Sequence, residues 1–397
     1  MFELISLKNA LDNVDGFYSE GVNAGLKEKD KDLAFIRSDI LCDISAVFTT
    51  NKFQAAPIKH FKKYPKDFKT NFILINSKNA NAMTSKKGIE DIDEILNFLK
   101  QAYPYPNITN PVMSSTGVIG YRLPKEKIIN GFKKFNFDAK NSNSAARAIM
   151  TTDTFQKDLC FKVILEDNSS FFIAAICKGA GMINPAMATM LCFIITDANI
   201  PKNDMDELLE NAVKNSFNKI SVDGDTSTND TVMLLSNKKS GVYNKSAFKT
   251  ALDTITKELA LQILKDAEGS NKVVAFEVKN AASQDDAKKA AAMLSNSLLV
   301  KTALFGEDPN WGRLGSTIGA SGIECDEEKL TISYDNITVY KNGINKMDKY
   351  TEEKAAKILS QDSFKITCDI GVGEYSYTSY GCDLSYEYIK INADYRT

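Results

Sequence analysis

Thr189 is the residue of this chain best placed to act as a nucleophile without help from a histidine. It closes the connection within residues 171–198, FFIAAICKGAGMINPAMATMLCFIITDA, where two apolar, strand-like runs flank a stretch holding Gly179, Gly181 and Pro185. Ala186 and Ala188 are small enough to leave room around the preceding carbonyl, and the glycines permit close backbone approach. Lys178 supplies a positive charge upstream. A threonine at such a junction can be inert, its hydroxyl bonded to nearby backbone. The active alternative is self-cleavage: a strained backbone lets the Thr189 hydroxyl attack the Ala188 carbonyl, and the amide becomes an ester that water cleaves. The products are residues 1–188 and 189–397, the second beginning with a free α-amine on Thr189. Such an amine has a reference pKa of about 7.7–8.0, so near neutral pH it can take the proton from its own hydroxyl.

That internal base matters because the chain has a single histidine, His60, in the Lys- and Pro-rich stretch QAAPIKHFKKYPKD, which reads as solvated surface. A Ser-His-Asp or Cys-His device would have to be built on this one surface residue, and a multi-histidine metal site has no second histidine to draw on. The seven cysteines (Cys42, Cys160, Cys177, Cys192, Cys325, Cys368 and Cys382) are scattered, with no Cys-x-x-Cys pair, and read as reduced packing residues. Gly179-Ala-Gly181 faintly echoes a dinucleotide loop, but Asn184 stands where the third glycine belongs and Pro185 follows. Asp223-Gly-Asp225 resembles the start of a calcium loop, yet Thr228 replaces its glycine and Leu234 its final glutamate. No metal is expected. Trp311, beside a turn, reads as packing.

Composition excludes other classes. With 49 Lys and Arg against 51 Asp and Glu, the formal charge of −2 offers no basic surface for nucleic acid. The start, MFELISLKNALDNVDG, does not have the form of a secretory signal, and apolar runs such as 171–177 and 190–195 are too short to span a bilayer. The expectation is a cytoplasmic protein with no membrane partner.

The elements that must hold Thr189 follow from periodicity. Apolar spacing of three and four predicts helices through DIDEILNFLK and from Ser246 through Phe248, Leu252, Ile255, Leu259 and Ile263, with a third capped by Ser283 and running through DAKKAAAMLSNSLL. Strands are expected at NFILIN, CFKVILED, FFIAAIC, MLCFIIT, KVVAFEV, KLTISY, NITVY and FKITCDI, and in a final tyrosine-rich ribbon, YSYTSYGCDLSYEYIKIN, turned near Gly381. No repeat or linker interrupts the chain. Helices and strands mix without a strict βαβ rhythm, which predicts an α/β layered sandwich with mixed β-sheets flanked by helices.

The stretch KGAGMINPAMATML resembles the autoprocessing signature of the ornithine acetyltransferase family, the glutamate N-acetyltransferases of the cyclic arginine pathway. The resemblance extends through NKFQAAPI (51–58), INSKNANAMT (75–84), SSTGVIG (114–120), MTTDT (150–154), VDGDTSTNDT (222–231), DAEGS (266–270), GEDPNWGR (306–313) and the terminal INADYRT. It implies a DmpA/ArgJ-like fold of the self-cleaving N-terminal-nucleophile type, with Thr189 as nucleophile and the cut between Ala188 and Thr189. It also implies an oxyanion hole from the Thr116 hydroxyl and the Gly117 backbone N–H, and substrate contacts at Thr152, Lys178, Thr189, Glu268, Asn392 and Thr397. Taken alone, SSTGVIG is only a glycine-containing turn, Lys178 a strand-end charge and Glu268 a surface acid at a helix end. The implied reaction moves acetyl from N-acetylornithine to Thr189 and then to glutamate, without a cofactor; acetyl-CoA stays open as a second donor, and no residue decides it. The implied assembly is a heterotetramer of two α and two β chains. Met83 and Lys78 depart locally from the family pattern and touch none of these roles.

Two other readings compete. A self-processing N-terminal-nucleophile amidase or aminopeptidase would pass the acyl group to water, and a non-catalytic binding protein would never cleave.

Overall fold

The computed structural model describes residues 1–184 and 190–394. Its chain divides into two compact units: residues 1–179, 186–217 and 226–260, and residues 180–185, 218–225 and 261–397. These units cut across the 1–188 and 189–397 pieces expected from self-cleavage.

The first unit is built on nine strands: β1 (Phe2–Leu7), β2 (Phe17–Val22), β3 (Leu33–Phe48), β4 (Lys69–Asn76), β5 (Val112–Ser115), β6 (Lys157–Leu165), β7 (Ser170–Lys178), β8 (Leu191–Thr196) and β9 (Thr231–Ser236). They lie in the order β1-β6-β7-β8-β9-β3-β4-β5, with β2 on β3. The sheet is mixed: β8 runs parallel to β9 and β4 to β5, while β6, β7 and β8 are successively antiparallel. Both faces are covered. Because successive side chains point to opposite faces, Leu33, Phe35, Phe72 and Leu74 pack with Ile92, Ile95, Leu96 and Leu99 of helix Ser85–Ala102. Ala34, Ile36, Ile73 and Ile75 share the other core with Ala145, Ala146, Ala148 and Ile149 of helix Ser142–Ile149. Burying each such large apolar side chain is worth roughly 1.5–3 kcal/mol, and that double layer makes the sheet a stiff platform.

The second unit carries β10 (Val273–Ala281), β11 (Thr331–Tyr334), β12 (Ile337–Lys341), β13 (Ile344–Asn345), β14 (Ser363–Asp369) and β15 (Tyr375–Cys382), in the order β13-β12-β11-β14-β10-β15. Helix Gln284–Asn296 lays Ala287, Ala290, Ala291 and Leu294 against Val274, Phe276 and Val278. Trp311 stacks on Tyr340 at 4.6 Å, the packing role its turn context implied. The architecture is the α/β class with mixed sheets flanked by helices. Among the described residues, no helix is long and apolar enough to cross a membrane.

Two local expectations need correction, and one long strand went unread. The tyrosine-rich segment is not a ribbon turned at Gly381: Gly381 lies inside β15, and helix Tyr386–Ala393 follows. Ser385 caps that helix by accepting from the Glu387 N–H, and a cap outweighs weak alternation. The helix opened by Ser283 stops at Asn296, because Ser297 caps a new helix, Leu298–Phe305, through the Val300 N–H. Finally, β3 was missed in the sequence because exposed Ile40 and Leu41 and a register shift between Arg37 and Cys42 interrupt its alternation.

Candidate active site

Strand pairing in the first unit gathers polar side chains at one end of the sheet. Lys178, the last residue of β7, pairs with Leu191 at the start of β8, and Leu191 pairs with Thr231 at the start of β9. The residues just before β8 and β9 therefore meet: the Met190 N–H donates to Asp230 Oδ1 at 3.2 Å, and the Thr231 N–H donates to the Met190 carbonyl at 3.1 Å. Asn229, one residue earlier, donates through Nδ2 to the carbonyls of Ala80 (2.7 Å) and Ser115 (2.8 Å). That side chain ties the segment before β9 to the turn carrying Thr116 and Gly117.

The turn is tightly determined. Thr116 is buried, and its N–H donates to the Asn76 carbonyl at 3.0 Å. Gly117 has φ +130, and a β-carbon there would drive into the backbone of Lys78 and Asn79, so only glycine fits. SSTGVIG is a shaped turn held between two segments, not a generic surface loop.

Lys178 is only 2 % exposed, which removes the reading of a solvated strand-end charge. Its ammonium lies 4.0 Å from Asp153 Oδ2. Asp153 is the hub here: Oδ1 accepts from Lys157 Nζ at 2.8 Å and from the Gly179 N–H at 2.7 Å, and Oδ2 from the Thr151 N–H at 2.9 Å. Burial pushes the Asp153 carboxyl up, but the charges of Lys178 and Lys157 and the hydrogen bonds overcome it and hold the group at about 2. Thr152 is half-buried beside this hub.

Asp230 has the opposite balance. It is fully buried, and desolvation pushes its carboxyl well above the ordinary carboxylate range, against the opposing effects of the Met190 amide, the Thr49 and Ser227 hydroxyls and the Lys178 charge. Its Oδ2 is buried with no hydrogen-bond partner among the described residues.

In the second unit, Glu268 is buried rather than a surface acid. Its N–H donates to the Ala180 carbonyl at 2.9 Å, and its Oε2 accepts from Asn392 Nδ2 at 2.8 Å. Gly181 lies directly under the carboxylate, where a β-carbon would collide with it. Asp223 accepts from the backbone N–H groups of Met182 (2.6 Å), Ile183 (2.9 Å) and Asp225 (3.2 Å) and from the Tyr388 hydroxyl (3.3 Å). It is a loop clasp.

The structure thus brings Thr116, Gly117 and Lys178 into one network within the first unit and pairs Glu268 with Asn392 within the second. The scission pair Ala188 and Thr189, and Thr397, lie outside the described residues. Asp153, Asn229 and Asp230 went unread as site residues in the sequence, although MTTDT and VDGDTSTNDT contain them; polar residues bordering strongly apolar strands were the available signal. His60 is not solvated surface: helix Ala56–Phe61 buries it against Tyr64, and its Nε2 lies 3.1 Å from Asp93 Oδ1.

Comparison with known proteins identifies the family. The family model described as the ArgJ family matches residues 18–397. The chain is 56% identical to the arginine biosynthesis bifunctional protein ArgJ of Wolinella succinogenes, over 100% of both chains. It is 42% identical to the glutamate N-acetyltransferase of Methanocaldococcus jannaschii, over 94% of this chain and 96% of that one. Among solved structures, the arginine biosynthesis bifunctional protein argJ of Bacillus halodurans aligns at 36% identity with a TM-score of 0.47, covering 51% of this chain and 97% of that one.

Proposed function

The chain belongs to the ArgJ family, and we propose that it works as that family's self-cleaved, ping-pong acetyltransferase, with Thr189 as the acetyl carrier. It is an acyltransferase of the glutamate N-acetyltransferase type acting on small molecules in arginine biosynthesis. Self-cleavage between Ala188 and Thr189 frees the Thr189 amine. That amine takes the hydroxyl proton as the oxygen adds to the acetyl carbonyl of N-acetylornithine. The Thr116 hydroxyl and Gly117 N–H hold the oxyanion, a role in which one donor is worth about 10²–10³ in turnover. The protonated amine then gives its proton to the departing ornithine nitrogen, and the amine of glutamate takes the acetyl group from the ester.

The observation that carries this reading is the Asn229 tie, which sets the Thr116–Gly117 turn against the same segment whose Asp230 grips Met190, the residue after Thr189. Lys178, buried at the end of the neighbouring strand, is suited to a substrate α-carboxylate and favours the neutral Thr189 amine by like-charge repulsion. Thr152, Glu268, Asn392 and Thr397 complete the substrate contacts, the Glu268 carboxylate matching the ornithine ammonium. Every step moves only a proton and an acyl group, so no cofactor is required; acetyl-CoA is a chemically equivalent second donor.

The cut pieces stay together because β7 belongs to one and β8 to the other, and the two are paired from Ile173↔Thr196 to Lys178↔Leu191; β3 and β9 are likewise paired across the cut. Two such pairs form the proposed heterotetramer, in the cytoplasm.

Intact-mass analysis should find 1–188 and 189–397, and Thr189→Ala should remain whole and inactive. Turnover by a chain that is never cut would reject the mechanism, and acetate release from acetylornithine without acetylglutamate would make the protein a hydrolase.

A further inference from the structure

Self-cleavage poses a problem that the later acetyl transfers do not. Until the Ala188–Thr189 bond breaks, the Thr189 nitrogen is an amide and cannot serve as a base. Something else must take the hydroxyl proton, and the only histidine is committed to Asp93 in helix Ala56–Phe61. We propose that Asp230 is the proton carrier of the self-cleavage step, taking the Thr189 hydroxyl proton at Oδ2 and returning it to the Thr189 nitrogen. This rests on the reading above that Thr189 is the residue freed by the cut.

Position comes first. Asp230 Oδ1 accepts from the Met190 N–H at 3.2 Å, and that nitrogen is bonded to the carbonyl carbon of Thr189 itself. The grip is reinforced from the main chain, where the Thr231 N–H donates to the Met190 carbonyl at 3.1 Å and the Thr49 N–H to the Asp230 carbonyl at 3.0 Å. The carboxylate is therefore held on the residue that follows Thr189, and its Oδ2 makes no hydrogen bond of ordinary geometry among the described residues, although the Thr49 and Ser227 hydroxyls lie near the carboxyl. Buried polar atoms nearly always find partners. Among the described residues, four buried side-chain atoms lack one: Ser19 Oγ, His60 Nδ1, Ser379 Oγ and Asp230 Oδ2, of which only the last is a carboxyl oxygen.

The environment suits proton transfer. Burial makes the Asp230 carboxylate a stronger base than an exposed aspartate. The groups acting on it are the Met190 amide, the Thr49 and Ser227 hydroxyls and, as the charged neighbour, Lys178 at the end of β7; all favour the ionised form, and burial outweighs them.

The step balances. The Thr189 O–H bond breaks, its proton passes to Asp230 Oδ2, and the oxygen bonds to the Ala188 carbonyl carbon. The bond from that carbon to the Thr189 nitrogen then breaks as Asp230 returns the proton to the nitrogen. The net change is amide to ester with Asp230 restored. Water hydrolyses the ester, leaving the Ala188 carboxylate and the Thr189 hydroxyl.

Asp230→Asn separates gripping from proton carriage, because the amide oxygen can still accept from Met190 while the base is gone. Freshly synthesised precursor of wild type, Asp230→Asn and uncleavable Thr189→Ala should be followed by intact mass between pH 5 and 8. Wild-type cleavage should speed up with pH toward a plateau, and Asp230→Asn should be slower by about 10²–10⁴-fold, the usual worth of a positioned acid or base, with that rise flattened. Cleavage of Asp230→Asn within threefold of wild type with the same pH profile overturns the proposal. So does a wild-type rate independent of pH, which needs no variant to fold. A wild-type chain that never cleaves refutes instead the parent reading of Thr189.

Discussion

Asp153→Asn should be among the most damaging single changes in the first unit. The side chain is wholly buried, Lys157 Nζ lies 2.8 Å from one oxygen, and Lys178 Nζ lies 4.0 Å from the other. Its carboxyl is held at about 2 against an ordinary value of 3.8. That lowering is worth roughly 2 kcal/mol of folding stability, at 1.36 kcal/mol per pKa unit. Because the folded value is depressed, the contribution is present above about pH 4 and is lost as pH falls through 2. The variant loses more than this, since two buried ammonium groups are left facing a neutral amide, and breaking a buried pair typically costs about 3–5 kcal/mol. The larger figure should dominate near neutral pH. Urea unfolding followed by circular dichroism at pH 7 should show a loss in that range, narrowing below pH 4, and Asp153→Asn/Lys157→Met should recover part of it by removing one unpaired charge. A loss under about 1 kcal/mol at pH 7 would refute the account of Asp153 as the electrostatic hub that fixes Lys178.

Gly117→Ala should lower kcat by about 10²–10³, because the added carbon displaces the Lys78–Asn79 backbone and would move the proposed oxyanion donor; steady-state acetyl transfer checks it. Asn392→Ala removes the 2.8 Å bond to Glu268, and a loss of about 1.5 kcal/mol should raise KM for acetylornithine roughly tenfold with kcat nearly kept. Burial, against the Phe172 N–H bond, raises Asp197 to about 6. Its stabilising effect is thus full below about pH 4 and lost as pH rises through 6, and Asp197→Asn should flatten that fall in a pH series of urea midpoints. All seven cysteines are free, and only Cys325 is exposed; a thiol reagent should label one site in the folded protein and seven after unfolding.

By itself the sequence determined the family and with it the reaction class, because the ordered motifs from NKFQAAPI to INADYRT specify that family; it made Thr189 the expected nucleophile, because a lone histidine forces a base from elsewhere. It also determined the strands on either side of the proposed cut, since runs as apolar as FFIAAIC and MLCFIIT have no stable place but the middle of a sheet covered on both faces. Tertiary structure alone decided which polar residues matter. Asp153 and Asp230 are both aspartates inside family motifs, yet two lysines depress one carboxyl to about 2 while desolvation raises the other. That difference arises from burial and from partners distant in the chain, such as Thr49 for Asp230 and Ser115 for Asn229. Local spacing carries no record of such contacts, because they form only when strand pairing brings the ends of β7, β8 and β9 together.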